Sequence, residues 1–267
     1  MFPLEIALKL GVVAALVFVA FKMKALDKSG MLAALVVGFV IVQSMGWSWL
    51  ILLIAFFVLA TIFTKFKYEF KRSLGWAQEK GGARSWTNTL ANGLVPAFAA
   101  VAEYWTQSII FVAAFVGALA TSTGDTLATE VGLLSRSKPR LITNLKKKVP
   151  HGTSGGITPL GELMVLVGSM SIGLIATALQ LGYAWHHKLI VVATVSGFVG
   201  STVDSILGAT IQGINRCNVC QQLTESLRHH GVPTINVRGL RFFDNNIVNL
   251  VSCVAGAFTA ILLIQVL

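Results

Sequence analysis

Residues 107–124 read QSIIFVAAFVGALATSTG, and Asp125 follows them directly. A stretch of this length without a charge is long enough to cross most of a bilayer core, since a spanning helix needs roughly 20 apolar residues. An ionisable side chain at the end of such a helix is costly in a membrane and is therefore a candidate functional group. The stretch predicts a membrane-spanning helix that carries a carboxylate.

The composition of the whole chain favours the same environment. Of its 267 residues, 55% are hydrophobic and 12% are charged, and the mean hydropathy is +0.75. A typical soluble domain has about 25% charged residues, so an ordinary soluble globular protein is excluded. The net charge of +10 would suggest nucleic acid in a soluble protein. In so apolar a chain we expect no nucleic-acid partner, and the charge instead indicates which side of a membrane each loop faces.

Apolar stretches of sufficient length recur along the chain. The eight candidates are residues 4–21, 30–45, 47–64, 87–102, 107–124, 159–182, 188–210 and 246–267. The fourth is the weakest because Asn88, Asn92 and Pro96 interrupt it, and the helix count therefore lies between seven and nine. We expect an all-α, polytopic integral membrane protein with about eight helices in a single domain (1–267). Within it, residues 1–64 are generic apolar helices and residues 82–252 carry the motifs.

The basic residues define an orientation. Nineteen of the 21 Lys and Arg residues occupy loops 22–29, 65–86, 133–158 and 211–245. These are alternate loops of the eight-helix arrangement, and basic loops stay on the cytoplasmic side of a membrane. We therefore expect these loops, and any active site that they form, to face the cytoplasm from a cell (plasma) membrane or a plastid-type membrane.

Two of the predicted spans share a pattern around an aspartate. Residues 122–127 (STGDTL) match residues 201–206 (STVDSI) as S-T-x-D-[TS]-[LI]. Both copies lie on helices that are predicted to run from outside to inside, so Asp125 and Asp204 are expected at similar depth. Small or polar residues recur at every fourth position around Asp204, which allows close helix contact.

Acidic residues at the cytoplasmic helix ends are candidate metal ligands. Carboxylates of adjacent helices suit Mg²⁺, which prefers oxygen ligands and keeps several waters. We expect Asp125 and Asp204 to hold Mg²⁺, with Glu130 and Asp244 as further ligands. Glu130 lies about 140° round the helix from Asp125, so it joins the set only if the helix unwinds near Gly132. Asp244 has an alternative role as a cap of the last helix.

The segment 146–159 has the composition of an anion-binding loop. Lys146–Lys148 precede residues 152–156 (GTSGG), and the loop enters a helix with Thr158 as its predicted N-cap and Pro159 in its first turn. Glycines let backbone N–H groups approach an anion, and the helix N-terminus adds a favourable dipole. The three lysines alone would favour a loop that only fixes topology, but together with the glycines and the helix entry they predict a phosphate-binding loop.

Loop 65–86 contains a second candidate for phosphate binding. Arg84 can clamp a phosphate bidentately, and Asn88 and Asn92, four residues apart on the broken helix, can donate to it or bind a metal. Apolar residues interspersed with lysines further upstream predict an interfacial amphipathic helix, which is either an anchor or a guide for an anionic lipid. They are Phe66, Tyr68, Phe70, Leu74 and Trp76.

Loop 211–245 contains a possible metal site. Cys217 and Cys220 form a C-x-x-C pair, and His229 and His230 follow it. Such residues can bind zinc, but the second half of a zinc-finger spacing is missing. Whether they bind a metal or are ordinary loop residues stays open at this point.

Four segments together resemble a known membrane family. They are residues 124–132 (GDTLATEVG), 139–143 (PRLIT), 149–158 (VPHGTSGGIT) and 244–249 (DNNIVN). In this order they resemble the family of transmembrane protein 19 and phytyl-phosphate kinase, and the resemblance extends over residues 82–252. The chain has His151 and Ser154 where the family pattern has Pro and Asn.

The resemblance implies an enzyme of isoprenoid metabolism. Such a kinase transfers a phosphoryl group from a nucleoside triphosphate, CTP, to a prenyl monophosphate such as phytyl or geranylgeranyl phosphate, giving the diphosphate. The expected residues are Asp125, Asp204, Arg84 and Lys148 for catalysis, Lys146, Lys147, Gly152, Thr153, Ser154, Gly155 and Gly156 for the nucleotide, Arg140, Asn88 and Asn92 for the acceptor phosphate, and Asp125, Asp204, Glu130 and Asp244 for Mg²⁺. A phosphate monoester is already ionised at neutral pH, so this chemistry depends on positioning and charge neutralisation rather than on a general base.

Other interpretations of the same residues remain. A CTP-dependent lipid-phosphate cytidylyltransferase would use the same cations and metal, and it would release pyrophosphate instead of CDP. A cation-coupled transporter would use the repeated aspartates as ion sites, but the acidic residues gather at one membrane face. The aspartates can also serve only as hydrogen-bonded contacts between helices.

Overall fold

The computed structural model describes residues 2–75, 77–221 and 223–267 and confirms a mostly helical protein. Each of the eight predicted apolar stretches forms a helix, and α6 continues beyond Asp125 to Gly132 without unwinding. In chain order the helices are α1 (Phe2–Lys22), α2 (Lys28–Met45), α3 (Trp47–Lys65), α4 (Tyr68–Ser73), α5 (Trp86–Thr106), α6 (Ile109–Gly132), α7 (Pro159–Ala178), α8 (Leu189–Thr210) and α9 (Asn245–Val266), with 3₁₀ turns at Glu79–Gly82 and Tyr183–Lys188.

Among the described residues, seven helices are long and apolar enough to cross a membrane by length and composition, and α5 is not one of them. The packing of α5 nevertheless places it in the bundle. Its start lies beside the start of α2, where a Cβ added at Gly30 would be 2.1 Å from the carbonyl oxygen of Arg84. Further along, a Cβ added at Gly93 would be 3.0 Å from Val37. The two helices are therefore parallel neighbours, and α5 then connects to α6 through only Gln107 and Ser108.

Helix α6 is the centre of the bundle and packs against α3, α5, α7, α8 and α9. The close contacts of α6 with α7 and α9 depend on small residues. A Cβ added at Gly124 would be 2.6 Å from Ser169 of α7, and one added at Gly117 would be 2.5 Å from Ala260 of α9. Because neither helix pair has room for a larger side chain there, glycine at these positions brings the backbones of α6, α7 and α9 together.

Short antiparallel strands, which the sequence analysis did not predict, organise the two long loops. In loop 133–158, β1 (Arg140–Leu141) pairs with β2 (Asn144–Lys148) and β3 (Gly156–Ile157). In loop 211–244, the strands are β4 (Ile214–Arg216), β5 (Leu223–Thr224), β6 (Arg228–His229), β7 (Val232–Pro233) and β8 (Ile235–Arg238), of which β5, β4 and β8 form one sheet and β6 and β7 a hairpin.

The expected interfacial amphipathic helix is much shorter than predicted. It consists of α4, six residues long, with exposed Phe66, Phe70 and Leu74 around it. Trp76, which was expected to belong to it, lies outside the described residues. Lys71 does not face solvent: its ammonium group is buried, donates to the carbonyl of Thr64 at 3.0 Å, and forms an ion pair with Glu130. This pair attaches α4 to the end of α6.

Candidate active site

The two repeated aspartates lie side by side. Helices α6 and α8 pack in parallel and in register, since a Cβ added at Gly200 would be 2.3 Å from the hydroxyl of Thr121, the equivalent position of the repeat. Asp125 and Asp204 therefore lie at the same depth, as predicted. Asp125, Asp204 and Ser201 of α8 line the same cleft.

Helix α9 orients Asp204. The hydroxyl of Ser252 donates to Asp204 Oδ2 at 3.0 Å. Asn249 reaches the same oxygen at 3.2 Å in the orientation in which its amide nitrogen donates. These are the polar contacts expected if the aspartates only joined helices, but both carboxylates also line an open cleft.

This cleft, with a volume of about 160 Å³, contains four carboxylates. Asp125 and Asp204 are joined by Glu162 in the first turn of α7 and by Glu225 of loop 211–244, two site residues that the sequence analysis did not assign. The other lining residues are Ala128, Thr129, Gly132, Leu133, Pro139, His151, Gly152, Thr153, Ser154, Gly155, Gly156, Ile157, Thr158, Gly161, Ser201, Ser205, Gly208, Gln212 and Asn245. Carboxylates and hydroxyls are the oxygen donors that Mg²⁺ prefers, so this donor set fits the metal that was expected here.

The predicted glycine loop covers the cleft. Gly155 adopts φ +77°, and a Cβ added there would be 2.5 Å from the backbone nitrogen of Ala209 and 2.6 Å from the carbonyl oxygen of Ser205. Glycine is therefore required for the loop to rest on the last turns of α8. The loop then enters α7 as predicted, with Thr158 as N-cap accepting from the N–H of Gly161 at 3.0 Å.

Loop 211–244 contributes to the cleft from the other side. Glu225 Oε1 accepts a hydrogen bond of 2.9 Å from the hydroxyl of Ser154 in the glycine loop. Although part of the Glu225 side chain is exposed, its carboxylate lies in the cleft, and loss of hydration raises its pKa above the usual value. The hydrogen bond from Ser154 opposes this rise. The two loops thus meet over the aspartates.

The cations expected around the glycine loop lie elsewhere. Lys146, Lys147 and Lys148 are exposed on β2, and Arg140 is exposed on β1, where its guanidinium donates to the carbonyl of Leu145 at 2.6 Å. Among the described residues that line the cleft there is no Lys or Arg. The structure therefore corrects the expected lysine-lined cradle: these side chains are exposed on the strands β1 and β2, and the cleft that the glycine loop lines is acidic.

Two of the expected metal ligands also need correction. Glu130 is buried in its ion pair with Lys71 and accepts a further hydrogen bond of 2.8 Å from Gln78, outside the cleft. It faces away because α6 stays helical through Gly132, so the turn of about 140° from Asp125 is kept. Asp244 caps α9, with Oδ1 accepting from two backbone N–H groups at 3.0 Å.

Arg84, Asn88 and Asn92 line a different cavity, so they do not share the cleft as expected. This apolar groove between α1, α2, α3 and α5 has a volume of about 290 Å³. Arg84 lies over the rings of Phe56 and Phe57 at 5.5 and 5.2 Å, and its Nη1 atom is buried without a hydrogen-bond partner among the described residues. Burial lowers the pKa of Arg84 to about 10, against the opposing charge of Glu130, so the guanidinium remains a cation at neutral pH.

Comparison with known proteins identifies a family of integral membrane proteins and several relatives. The profile of the integral membrane protein family DUF92 matches residues 11–257. The chain is 33% identical to Protein PGR of Arabidopsis thaliana over 263 residues (90% of each chain). It is 32% identical to an uncharacterised membrane protein of Methanocaldococcus jannaschii over 193 residues (72% of this chain, 76% of the relative). It is 26% identical to the chloroplastic protein VTE6 of Arabidopsis thaliana over 245 residues (90% and 66%). No solved structure matches.

Proposed function

The chain belongs to the integral membrane protein family DUF92, and on that premise we propose that it is a prenyl-phosphate kinase. It transfers the γ-phosphoryl group of a nucleoside triphosphate, CTP, to a prenyl monophosphate such as phytyl or geranylgeranyl phosphate. The motif resemblance to phytyl-phosphate kinase supports this reaction. The observation that carries the proposal is the acidic cleft in which Asp125 and Asp204 lie at equal depth beneath a glycine loop.

The charge of the cleft determines how it binds phosphate. Four carboxylates without a lining Lys or Arg among the described residues repel a triphosphate, unless divalent cations lie between them. Asp125 and Asp204 would hold Mg²⁺, with Glu162 and Glu225 within the same cleft. An Mg²⁺ ion held by these residues would supply the positive charge that offsets the charge of the donor phosphates.

The remaining groups of the cleft position the reactants. The backbone of residues 152–156 and the N-terminus of α7 offer N–H groups to the donor phosphates. An oxygen of the ionised acceptor phosphate attacks the γ-phosphorus and forms a new P–O bond, while the bond from the γ-phosphorus to the β,γ-bridging oxygen breaks and CDP leaves. No proton has to be removed from the acceptor, which agrees with the oxygen-rich donor set.

The apolar groove is assigned to the chain of the acceptor. Its walls are formed by side chains such as Val13, Val37 and Phe57. Its polar end contains Arg84 and Asn88, whose buried Oδ1 has no hydrogen-bond partner within the described part of the chain. An isoprenoid chain matches the walls, and an anionic head matches the buried guanidinium. Arg84 lies near Glu130, which faces away from Asp125 round α6, so the acceptor head has to pass the end of α6 to react.

The reaction is proposed to take place on the cytoplasmic side of a plasma membrane or a plastid-type membrane. The cleft lies at the end of the bundle from which loops 65–86, 133–158 and 211–244 emerge, and these loops carry most of the basic residues. Retention of basic loops on the cytoplasmic side supports this orientation.

Product analysis tests the proposal directly. Purified protein in lipid nanodiscs is supplied with geranylgeranyl or phytyl phosphate, Mg²⁺ and each of the four nucleoside triphosphates. We expect prenyl diphosphate and CDP, and a loss of turnover of at least about 100-fold in Asp125→Asn and in Asp204→Asn, because both hold the charge-neutralising cations. Glu69→Gln, which removes an exposed carboxylate of α4, is the matched control with unchanged turnover.

The products distinguish the competing functions. Pyrophosphate with a cytidylylated lipid would show a cytidylyltransferase instead of a kinase. Ion flux into protein-containing vesicles without nucleotide turnover would favour the transporter. Full kinase activity in both aspartate variants would disprove the assignment of the cleft.

A further inference from the structure

Four potential metal ligands from two separate turns of loop 211–244 lie close together. The ligand atoms of Cys217, Cys220, His229 and His230 all lie within 4.8 Å of one another. Cys217 and Cys220 belong to the turn that follows β4, and His229 and His230 belong to the β6–β7 hairpin. The C-x-x-C pair lacked the second half of a zinc-finger spacing in the sequence. In the structure, two adjacent histidines on a second turn provide the other two ligands.

The geometry of the cluster matches a tetrahedral site. Cys220 Sγ and His229 Nδ1 are 3.5 Å apart. Bond lengths of about 2.3 Å to sulfur and 2.0–2.1 Å to nitrogen place two ligands of one tetrahedral Zn²⁺ about 3.6 Å apart. The backbone N–H of Val219 also donates to Cys217 Sγ at 3.3 Å, and such a bond stabilises a thiolate that binds a metal.

The loop has almost no apolar core to hold these turns together. Among its described residues, the one buried apolar side chain is that of Cys217 itself, while Val219, Leu223 and Leu227 are exposed. Segments of this size without a core depend on a disulfide, a metal or a partner for a defined structure. A bound metal supplies that constraint at the point where the two turns meet.

We propose that Cys217, Cys220, His229 and His230 bind a structural Zn²⁺ that holds loop 211–244 over the acidic cleft. Two thiolates and two imidazoles favour zinc over Mg²⁺ or Ca²⁺, which prefer oxygen ligands. The site is separate from the cleft, but it fixes the hairpin next to Glu225. Asn215 Nδ2 donates to the carbonyl of Glu225 at 3.3 Å, and the Glu225 carboxylate accepts from Ser154. The zinc thereby positions one wall of the cleft.

Metal analysis of the purified full chain tests this proposal without any assay of activity. We expect about one zinc per chain in the parent protein and less than about 0.2 in Cys217→Ser, Cys220→Ser and His229→Ala. Cys253→Ala and His187→Ala, which remove the same side-chain types elsewhere, are the matched controls and keep the zinc. Replacement by Co²⁺ should give the intense visible absorption of a tetrahedral thiolate site.

A second measurement covers variants that do not fold. Zinc is removed from the parent protein with a chelator, and tryptic cleavage after Arg228 is followed before and after zinc is returned. We expect faster cleavage without zinc and protection on its return. A parent protein that takes up neither Zn²⁺ nor Co²⁺, ligand variants with unchanged zinc, or a Cys217–Cys220 disulfide found by mass spectrometry would each overturn the proposal. None of these outcomes depends on the kinase reaction.

Discussion

The two halves of the bundle, α1–α5 and α6–α9, contain helices of similar length that differ in how tightly they pack. In α6 at the centre of the α6–α9 bundle, 72% of the apolar segment is buried inside the protein, against 22% in α1. Glycine and serine bring the backbones of α6–α9 into contact, whereas α1, α2, α3 and α5 leave a groove of about 290 Å³. The tight half places carboxylates accurately, and the open half has room for an apolar chain.

The largest effect on the free energy of unfolding is expected at the ion pair that joins the two halves of the bundle. In Lys71→Met, Glu130 of α6 loses the cation contributed by α4 and remains as a buried, unpaired carboxylate. Removal of one partner of a buried ion pair costs about 3–5 kcal/mol. We expect this loss in denaturant unfolding of the detergent-solubilised protein, whereas Lys147→Met on the exposed strand β2 has no measurable effect. Equal stabilities of the two variants would contradict a structural role for the pair.

The second largest effect is expected on thermal stability, when glycine is replaced by alanine once in each half of the bundle. In Gly197→Ala the new Cβ would be 2.0 Å from the hydroxyl oxygen and 2.6 Å from the Cβ of Ser169. A Cβ added at Gly11 of α1 would have no atom of the described residues within 4 Å. Overpacking costs about 1–3 kcal/mol, so Gly197→Ala should lower the midpoint of thermal unfolding clearly. Gly11→Ala should keep or slightly raise it. Similar midpoints would mean that the halves are equally loose.

The smallest effect concerns the groove and is kinetic. If the groove holds the acceptor, Arg84→Gln should raise KM for the prenyl phosphate about tenfold with little change in kcat, because a charge-assisted hydrogen bond to the head is lost. Arg140→Gln, on the exposed hairpin, should leave KM unchanged. Binding of a fluorescent prenyl phosphate without nucleotide gives the same comparison independently of turnover. An unchanged affinity would remove the acceptor from this groove.

The sequence predicted the helices well because a membrane imposes a strong and continuous signal. Even α5, interrupted by Asn88 and Pro96, was recognised as a helix of the bundle. The matched depth of Asp125 and Asp204 also followed from the repeat, since both lie on helices of the same direction. The short strands were missed because segments of two to five residues have no periodic pattern.

The site was predicted only where local sequence determines it. The residue types of Thr158 and the preceding glycines predict a loop that ends in a helix N-terminus. Glu162 could have been added to the site because it lies in the first turn of the same predicted helix. Glu225 has no such signal, since its contact with Ser154 depends on the fold of a distant loop. Lys146–Lys148 were misplaced because a run of cations does not reveal that it forms an exposed strand of a loop sheet.

The parallel register of α6 and α8 determines on which side of the membrane the reactants and products of the proposed reaction are found. In a repeat related by inversion, the two copies would run in opposite directions across the membrane, and their aspartates would point toward opposite ends of the bundle. Here the copies point the same way, and Asp125 and Asp204 open on one cleft at one end of the bundle. Donor and both products of the proposed reaction therefore share a single aqueous compartment. The helices span the membrane, but the proposed reaction carries no reactant from one side to the other.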